Sequence, residues 1–92
     1  MKYEIQMTSH FKKDYKLAIK RGCDINLLME VVRLLAHGKQ LPDQYHDHPL
    51  SGNYKGYRDC HLQPDWLLVY KITESLLVLT LYRTGSHNDL FL

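Results

Sequence analysis

The chain has little of what staples, spans or repeats. It carries two cysteines in 92 residues, Cys23 and Cys60, too few for the disulfide framework of a small secreted domain. A reducing, intracellular setting is the expectation. No stretch approaches the roughly eighteen uninterrupted apolar residues of a spanning helix, and Met1-Lys2-Tyr3-Glu4-Ile5-Gln6-Met7 has no apolar secretion-signal core. Membrane insertion and export are therefore not expected, and a cytoplasmic protein is. There is no internal repeat, no low-complexity tract, and no Cys-x-x-Cys or His-Glu-x-x-His spacing of a metal site. An excess of one charge is missing too, with 12 Lys+Arg against 10 Asp+Glu. That balance hides a division: residues 1–40 hold eight basic and four acidic groups, residues 41–92 four and six, together with four of the six histidines. What remains, 92 residues at 45% hydrophobic, fits one compact domain over 1–92 that can fold without staples.

Periodicity supplies the elements. Tyr3, Ile5 and Met7 alternate with Lys2, Glu4 and Gln6, the period of a half-buried strand. From Ser9, a plausible N-cap, to Arg21 the period becomes helical, with Phe11, Tyr15, Ala18 and Ile19 on one stripe and Gly22 as the stop. Lys12, Lys13, Lys16 and Lys20 fall within an arc of roughly 100° beside that stripe. They read either as a solvated face or as a track for phosphates, since clustered ammonium groups gain affinity by releasing a polyanion's counterions. Asp24 can cap a second helix to His37, burying Leu27, Leu28, Val31, Leu34 and Leu35, with Gly38 ending it. Residues 39–56, with Pro42, Pro49, Gly52 and Gly56, predict a long surface loop. Strands follow at Tyr57–Leu62, Trp66–Thr73 and Leu76–Thr84, joined by Gln63-Pro64-Asp65 and Glu74-Ser75 into an antiparallel meander. Ser86-His87-Asn88-Asp89 has capping-box spacing, so a terminal helical turn can begin there. The order β-α-α-β-β-β makes an α+β fold, an antiparallel sheet packed against an N-terminal helical hairpin.

In the second half, His48, His61, Asp65 and His87 sit at loop and strand ends, with Arg83 near the end of the last strand. The meander brings the Pro64-Asp65 turn and the end of the last strand to one end of the sheet, while His48 must fold back to reach it. Imidazoles, one carboxylate and one guanidinium are what metal-free RNA cleavage needs. The 2′-hydroxyl loses a proton as it attacks phosphorus, the 5′-oxygen gains one as it leaves, and an imidazole can do either near neutral pH. A planar Arg matches the charge growing on the nonbridging oxygens. Taken singly, each has a plainer use: a loop histidine is commonly a surface residue, Asp65 after Pro64 a turn former, Arg83 a surface ion-pair member. His46-Asp47-His48 with His61 or Cys60 is the rival metal reading. Cys60 and Cys23 read as buried thiols rather than nucleophiles, Trp66 as core, and Phe91 and Tyr57 as core or as a base-stacking surface.

The run His48-Pro49-Leu50, Gly52, Lys55-Gly56-Tyr57-Arg58-Asp59, His61, Pro64-Asp65-Trp66-Leu67-Leu68, Tyr70-Lys71-Ile72, Arg83-Thr84-Gly85-Ser86-His87 and Leu90-Phe91 resembles the YafQ branch of the RelE/ParE superfamily of bacterial type II toxins. The specific part covers residues 46–92, and the front end agrees in pattern. The resemblance implies a RelE-like fold and a toxin that enters the 30S ribosomal A site and cuts messenger RNA there without cofactor or metal. It implies His48, His61, Asp65 and His87 as acid-base residues, His87 as general acid and Asp65 or His48 as base. Arg83 would stabilise the phosphorane, and Phe91 would hold the substrate base. Lys12, Lys13, Lys16 and Lys20 would then contact ribosomal RNA. It further implies a cognate antitoxin, often of ribbon-helix-helix type, through which the pair binds operator DNA. The alternative within the superfamily is a non-enzymatic toxin of the same fold that inhibits a protein target such as gyrase, as in the ParE branch.

Overall fold

In a computed structural model the structure describes residues 1–91. Strand β1 (Glu4–Met7) leads to helices α1 (Ser9–Lys20) and α2 (Ile25–Ala36). They are followed by strands β2 (His48–Pro49), β3 (Arg58–Gln63), β4 (Trp66–Thr73) and β5 (Val78–Gly85), and by helix α3 (His87–Phe91). The sheet runs β1-β5-β4-β3-β2, with β1 parallel to β5 and every other pair antiparallel. No helix is long and apolar enough to cross a membrane among the described residues.

The expected α+β architecture is present, with a strand more than the sequence pattern announced. The segment 39–56 is no plain loop: it holds 3-10 turns at Asp43–Tyr45 and Gly52–Tyr54 and the two-residue β2. A strand that short and ending in Pro leaves no period to read, and an edge position tolerates proline because no ladder partner needs its missing N–H. The last strand begins at Val78, not Leu76, because residues 74–77 form the turn with Leu77 at φ 52°. A two-residue type I′ hairpin loop would need positive φ at both Glu74 and Ser75, whereas the wider turn over 74–77 confines it to one residue, Leu77.

The cap of α1 is Thr8 rather than Ser9: its hydroxyl oxygen accepts the Phe11 N–H and its O–H donates to the Tyr82 carbonyl at 2.7 Å, tying helix start to β5. Asp24 caps α2 as expected, accepting from the Asn26 N–H. Phe11 and Ala18 bury, but Ile19 stays 51% exposed. It lies about 80° round the helix from Phe11, whereas Ala18 lies about 20° away, so the stripe is narrower than the sequence suggests. Gly22 and Gly38 end the two helices at φ 76° and 73°, the left-handed geometry that suits glycine.

Both faces of the sheet are covered. Leu28, Val31, Val32, Leu35 and Ala36 of α2 pack with Phe11 and Ala18 against Cys60, Leu68, Tyr70, Leu79 and Leu81. On the opposite face Leu67 and Val69 pack with Leu90 of α3 and with Leu50, Tyr54, Tyr57 and Tyr82. Double coverage explains why β4 reads as a nearly unbroken apolar run.

Candidate active site

His48 is carried to the sheet by β2, where it stands opposite Asp59 of β3. Asp59 and His61 are two residues apart on one strand and so share a face, while Cys60 between them turns into the main core. The antiparallel return places Gly85, at the end of β5, opposite Leu67, at the start of β4, beside the turn that holds Asp65. There the expected capping box closes: Ser86 N–H donates to Asp89 at 3.0 Å and Asp89 N–H to the Ser86 hydroxyl oxygen at 3.1 Å. Gly85 makes room for it, since a Cβ would lie 2.9 Å from Asp89 Oδ2. The box starts α3 at His87 and delivers that residue to Asp65.

Four imidazoles meet at this rim. The His61 ring lies 6.1 Å from His48, 5.5 Å from His87 and 5.7 Å from His46, centroid to centroid. Asp65 Oδ1 accepts both the backbone N–H of His87 at 3.0 Å and its Nδ1 at 2.7 Å. With Nδ1 so engaged, Nε2 is the nitrogen of His87 left for other chemistry. His48 Nδ1 donates to the His46 carbonyl at 2.7 Å, and its Nε2 faces Asp59 Oδ1 at 3.2 Å. The segment bearing both residues is pinned by Asp47, which accepts from Tyr70 Oη at 2.6 Å and from the Arg58 guanidinium at 3.3 Å. A cleft bordered by Gln44, Tyr45, His46, His61 and Pro64 opens beside the cluster.

The carboxylates differ in environment. Hydrogen bonds from the His87 backbone N–H and ring hold the exposed Asp65 below the usual carboxylate range. Burial pushes Asp59 up, against the opposing pull of His48, His61 and His87. The Cys60 thiol is driven far up by burial and stays protonated, an inert core group. His48, Asp59 and His61 are the described residues close enough to hold a metal ion, their nearest donor atoms lying within 4.8 Å of one another. Neither cysteine joins them.

Arg83 is paired with α1, donating through Nε to Asp14 at 2.7 Å and through Nη2 at 3.3 Å, and Thr84 N–H donates to the same carboxylate at 3.2 Å. The Asp14 hydrogen bond raises the Arg83 pKa further, so this cation is permanent. Phe91 is 41% exposed, its ring 5.3 Å from that of Tyr54, whose O–H donates to the Leu90 carbonyl. Trp66 is buried as expected.

The sequence model of a family described as "Bacterial toxin of type II toxin-antitoxin system, YafQ" matches residues 3–92. The chain belongs to the YafQ family. Among its relatives, the "mRNA interferase toxin YafQ" of Escherichia coli K12 is 47% identical over 89 residues, 96% of this chain and 95% of that protein. The crystal structure of YafQ from E. coli BL21(DE3) superposes with a TM-score of 0.91 at 44% identity, covering 97% of this chain and 98% of that one. The crystal structure of the E. coli DinJ-YafQ complex gives 0.89 at 46% identity, with coverage of 97% and 98%.

In this YafQ-family chain none of the four lysines takes part in the hydrogen bonds or ion pairs of the histidine rim. Lys12, Lys13, Lys16 and Lys20 are all exposed on α1, and Lys12 and Lys16 border an apolar groove lined by Ile5, Met7, Ile19 and Met29. Sequence reasoning did not single out Asp59, nor His46 outside the metal reading, nor Asp14. Asp59 was within reach of the strand period, two residues before His61. His46 sits at φ 48°, and its place beside His61 comes from a turn no period encodes.

Proposed function

We propose that this YafQ-family toxin is an mRNA interferase, a ribosome-dependent endoribonuclease that cuts messenger in the 30S A site by metal-free acid-base catalysis. The observation that carries the reading is the convergence of His48, His61 and His87 around one rim, with Asp65 on the Nδ1 side of His87. A base takes the 2′-hydroxyl proton as the 2′-oxygen bonds to phosphorus. The bond to the 5′-oxygen breaks as His87 protonates that oxygen through Nε2, leaving a 2′,3′-cyclic phosphate and a 5′-hydroxyl. Because Asp65 is spent on orienting His87, and both ring nitrogens of His48 are engaged by the His46 carbonyl and Asp59, the base role falls to His61 at the same rim. Arg83, fixed along its Nε side by Asp14, has guanidinium N–H groups left over for the phosphorane. Phe91, half out of its aromatic nest, offers a face to a base. The lysines of α1 track ribosomal RNA.

The partner in this reading is a cognate antitoxin of ribbon-helix-helix type, which gives the pair its grip on operator DNA. The E. coli DinJ-YafQ toxin-antitoxin complex supports an antitoxin partner. The exposed Ile19 and Met29 beside β1 offer it an apolar seat. The toxin would act in the cytoplasm as one domain.

Primer extension on messenger bound to programmed ribosomes tests the reading. The chain should leave discrete in-frame breaks, and His87→Ala should abolish them without lowering the melting temperature. Intact messenger alongside arrested replication would overturn it in favour of a protein target such as gyrase. Loss of cutting on chelation beyond the ribosome's own need for magnesium would overturn the metal-free step.

A further inference from the structure

Asp59 is the one carboxylic acid among the described residues that is buried, at 3% exposure. Its Oδ1 makes no conventional hydrogen bond. No backbone N–H, hydroxyl or guanidinium comes to it, and the groups it faces are His48 Nε2 at 3.2 Å and His61 Nε2 at 4.0 Å. A carboxylate taken out of water without donors is a heavy cost to a fold, and burial raises its proton affinity accordingly. Packing does not call for it: Asp59 sits across from Val69 on the sheet face where Leu67 and Val69 are buried, and a neutral side chain of the same size would fill the place.

The imidazoles explain the position. His48 is caught at both ends, Nδ1 on the His46 carbonyl and Nε2 toward Asp59. His61, with its ring 6.1 Å from that of His48, turns its own Nε2 toward the same oxygen. One buried atom thus faces two rings that come from different strands.

We propose that Asp59 is a positioning residue for the cleavage reaction, holding the rings of His48 and His61 in place at the rim by drawing their Nε2 edges onto one buried oxygen. The assignment rests on the interferase reading and adds to it a group that touches the two imidazoles rather than the RNA. Groups of this kind, buried at the expense of stability to orient a reactive side chain, are a recurrent feature of working sites.

The test is Asp59→Asn, which keeps the shape and removes the charge. Single-turnover cleavage with toxin saturating over programmed ribosomes should slow ten- to a hundredfold, with ribosome affinity unchanged and a melting temperature no lower than wild type. Long-range 1H–15N spectra of the free toxin should show the His48 Nε2 signal moved. A wild-type rate, or a slowed rate with the His48 signal unmoved, would overturn the assignment. So would a variant that fails to fold, because Asp59 would then be holding the sheet. If the wild-type chain itself leaves messenger uncut, the interferase reading fails first and this one with it.

Discussion

Asp14 joins the middle of α1 to the end of β5, and replacing it by Ala tests how far that strand end is held from the helix side. The carboxylate accepts from Arg83 Nε at 2.7 Å, from Nη2 at 3.3 Å and from Thr84 N–H at 3.2 Å. The Arg83 and Asp14 side chains are only 20% and 14% exposed, so little water waits to replace a lost partner. Hydrogen bonds to a charged group contribute about 1.5–3 kcal/mol each at best. Discounting for the residual exposure and for the freedom of the long Arg83 side chain to swing outward, the loss is about 2–3 kcal/mol in all. For a domain of this size that lowers the melting temperature by about 10–20 °C. Asp14→Asn, which keeps a neutral acceptor, should lose about half as much. Thermal and urea melts read both, and cleavage measured below the melt should also fall, because Arg83 and the Ser86-His87 junction follow directly on the strand that loosens. A drop under about 3 °C in the Ala variant would refute the view that this pair fastens helix to strand.

The other expectations are simpler. Asp65→Ala should cut the cleavage rate ten- to a hundredfold with no change in melting temperature, since the carboxylate is exposed yet holds His87 by ring and backbone; a lowered melting point would show it to be structural. Exchanging Lys12, Lys13, Lys16 and Lys20 for Gln should weaken ribosome binding and flatten its salt dependence while leaving the rate at saturation intact, which filter binding at several salt concentrations measures. The hydrogen bond from Arg21, with those from Ser86, holds Asp89 down to about 2. A depressed acid stabilises the fold above its unfolded value of about 4 and loses that contribution as pH falls toward its folded value. Acid melts should therefore show α3 loosening between about pH 4 and 2, and Arg21→Gln should shrink that step to the part the Ser86 hydrogen bonds supply.

Much of this molecule was legible in its residues because the information was local. The strand period of 3–7, the helical period from Phe11 to Ala18, the Asp24 cap, the glycine stops and the Ser86–Asp89 box each depend on neighbours within a turn or two, and each stands in the structure. A meander with short turns also fixes which strand ends meet, so Asp65 and His87 could be placed together in advance. Other features depend on what lies across space. Ile19 reads as buried until α1 is rotated by its packing, and Leu76-Leu77 reads as strand until the turn has to find a residue for positive φ. The two residues of β2 gain a ladder only because β3 is there to pair with. The same holds for chemistry. Histidines in the second half could be counted in the sequence, but the capture of Arg83 by Asp14, 69 positions earlier, could not. Nor could the placing of Asp59 beneath two imidazoles, for charge and burial act through distance in space and the chain spells out only distance along itself.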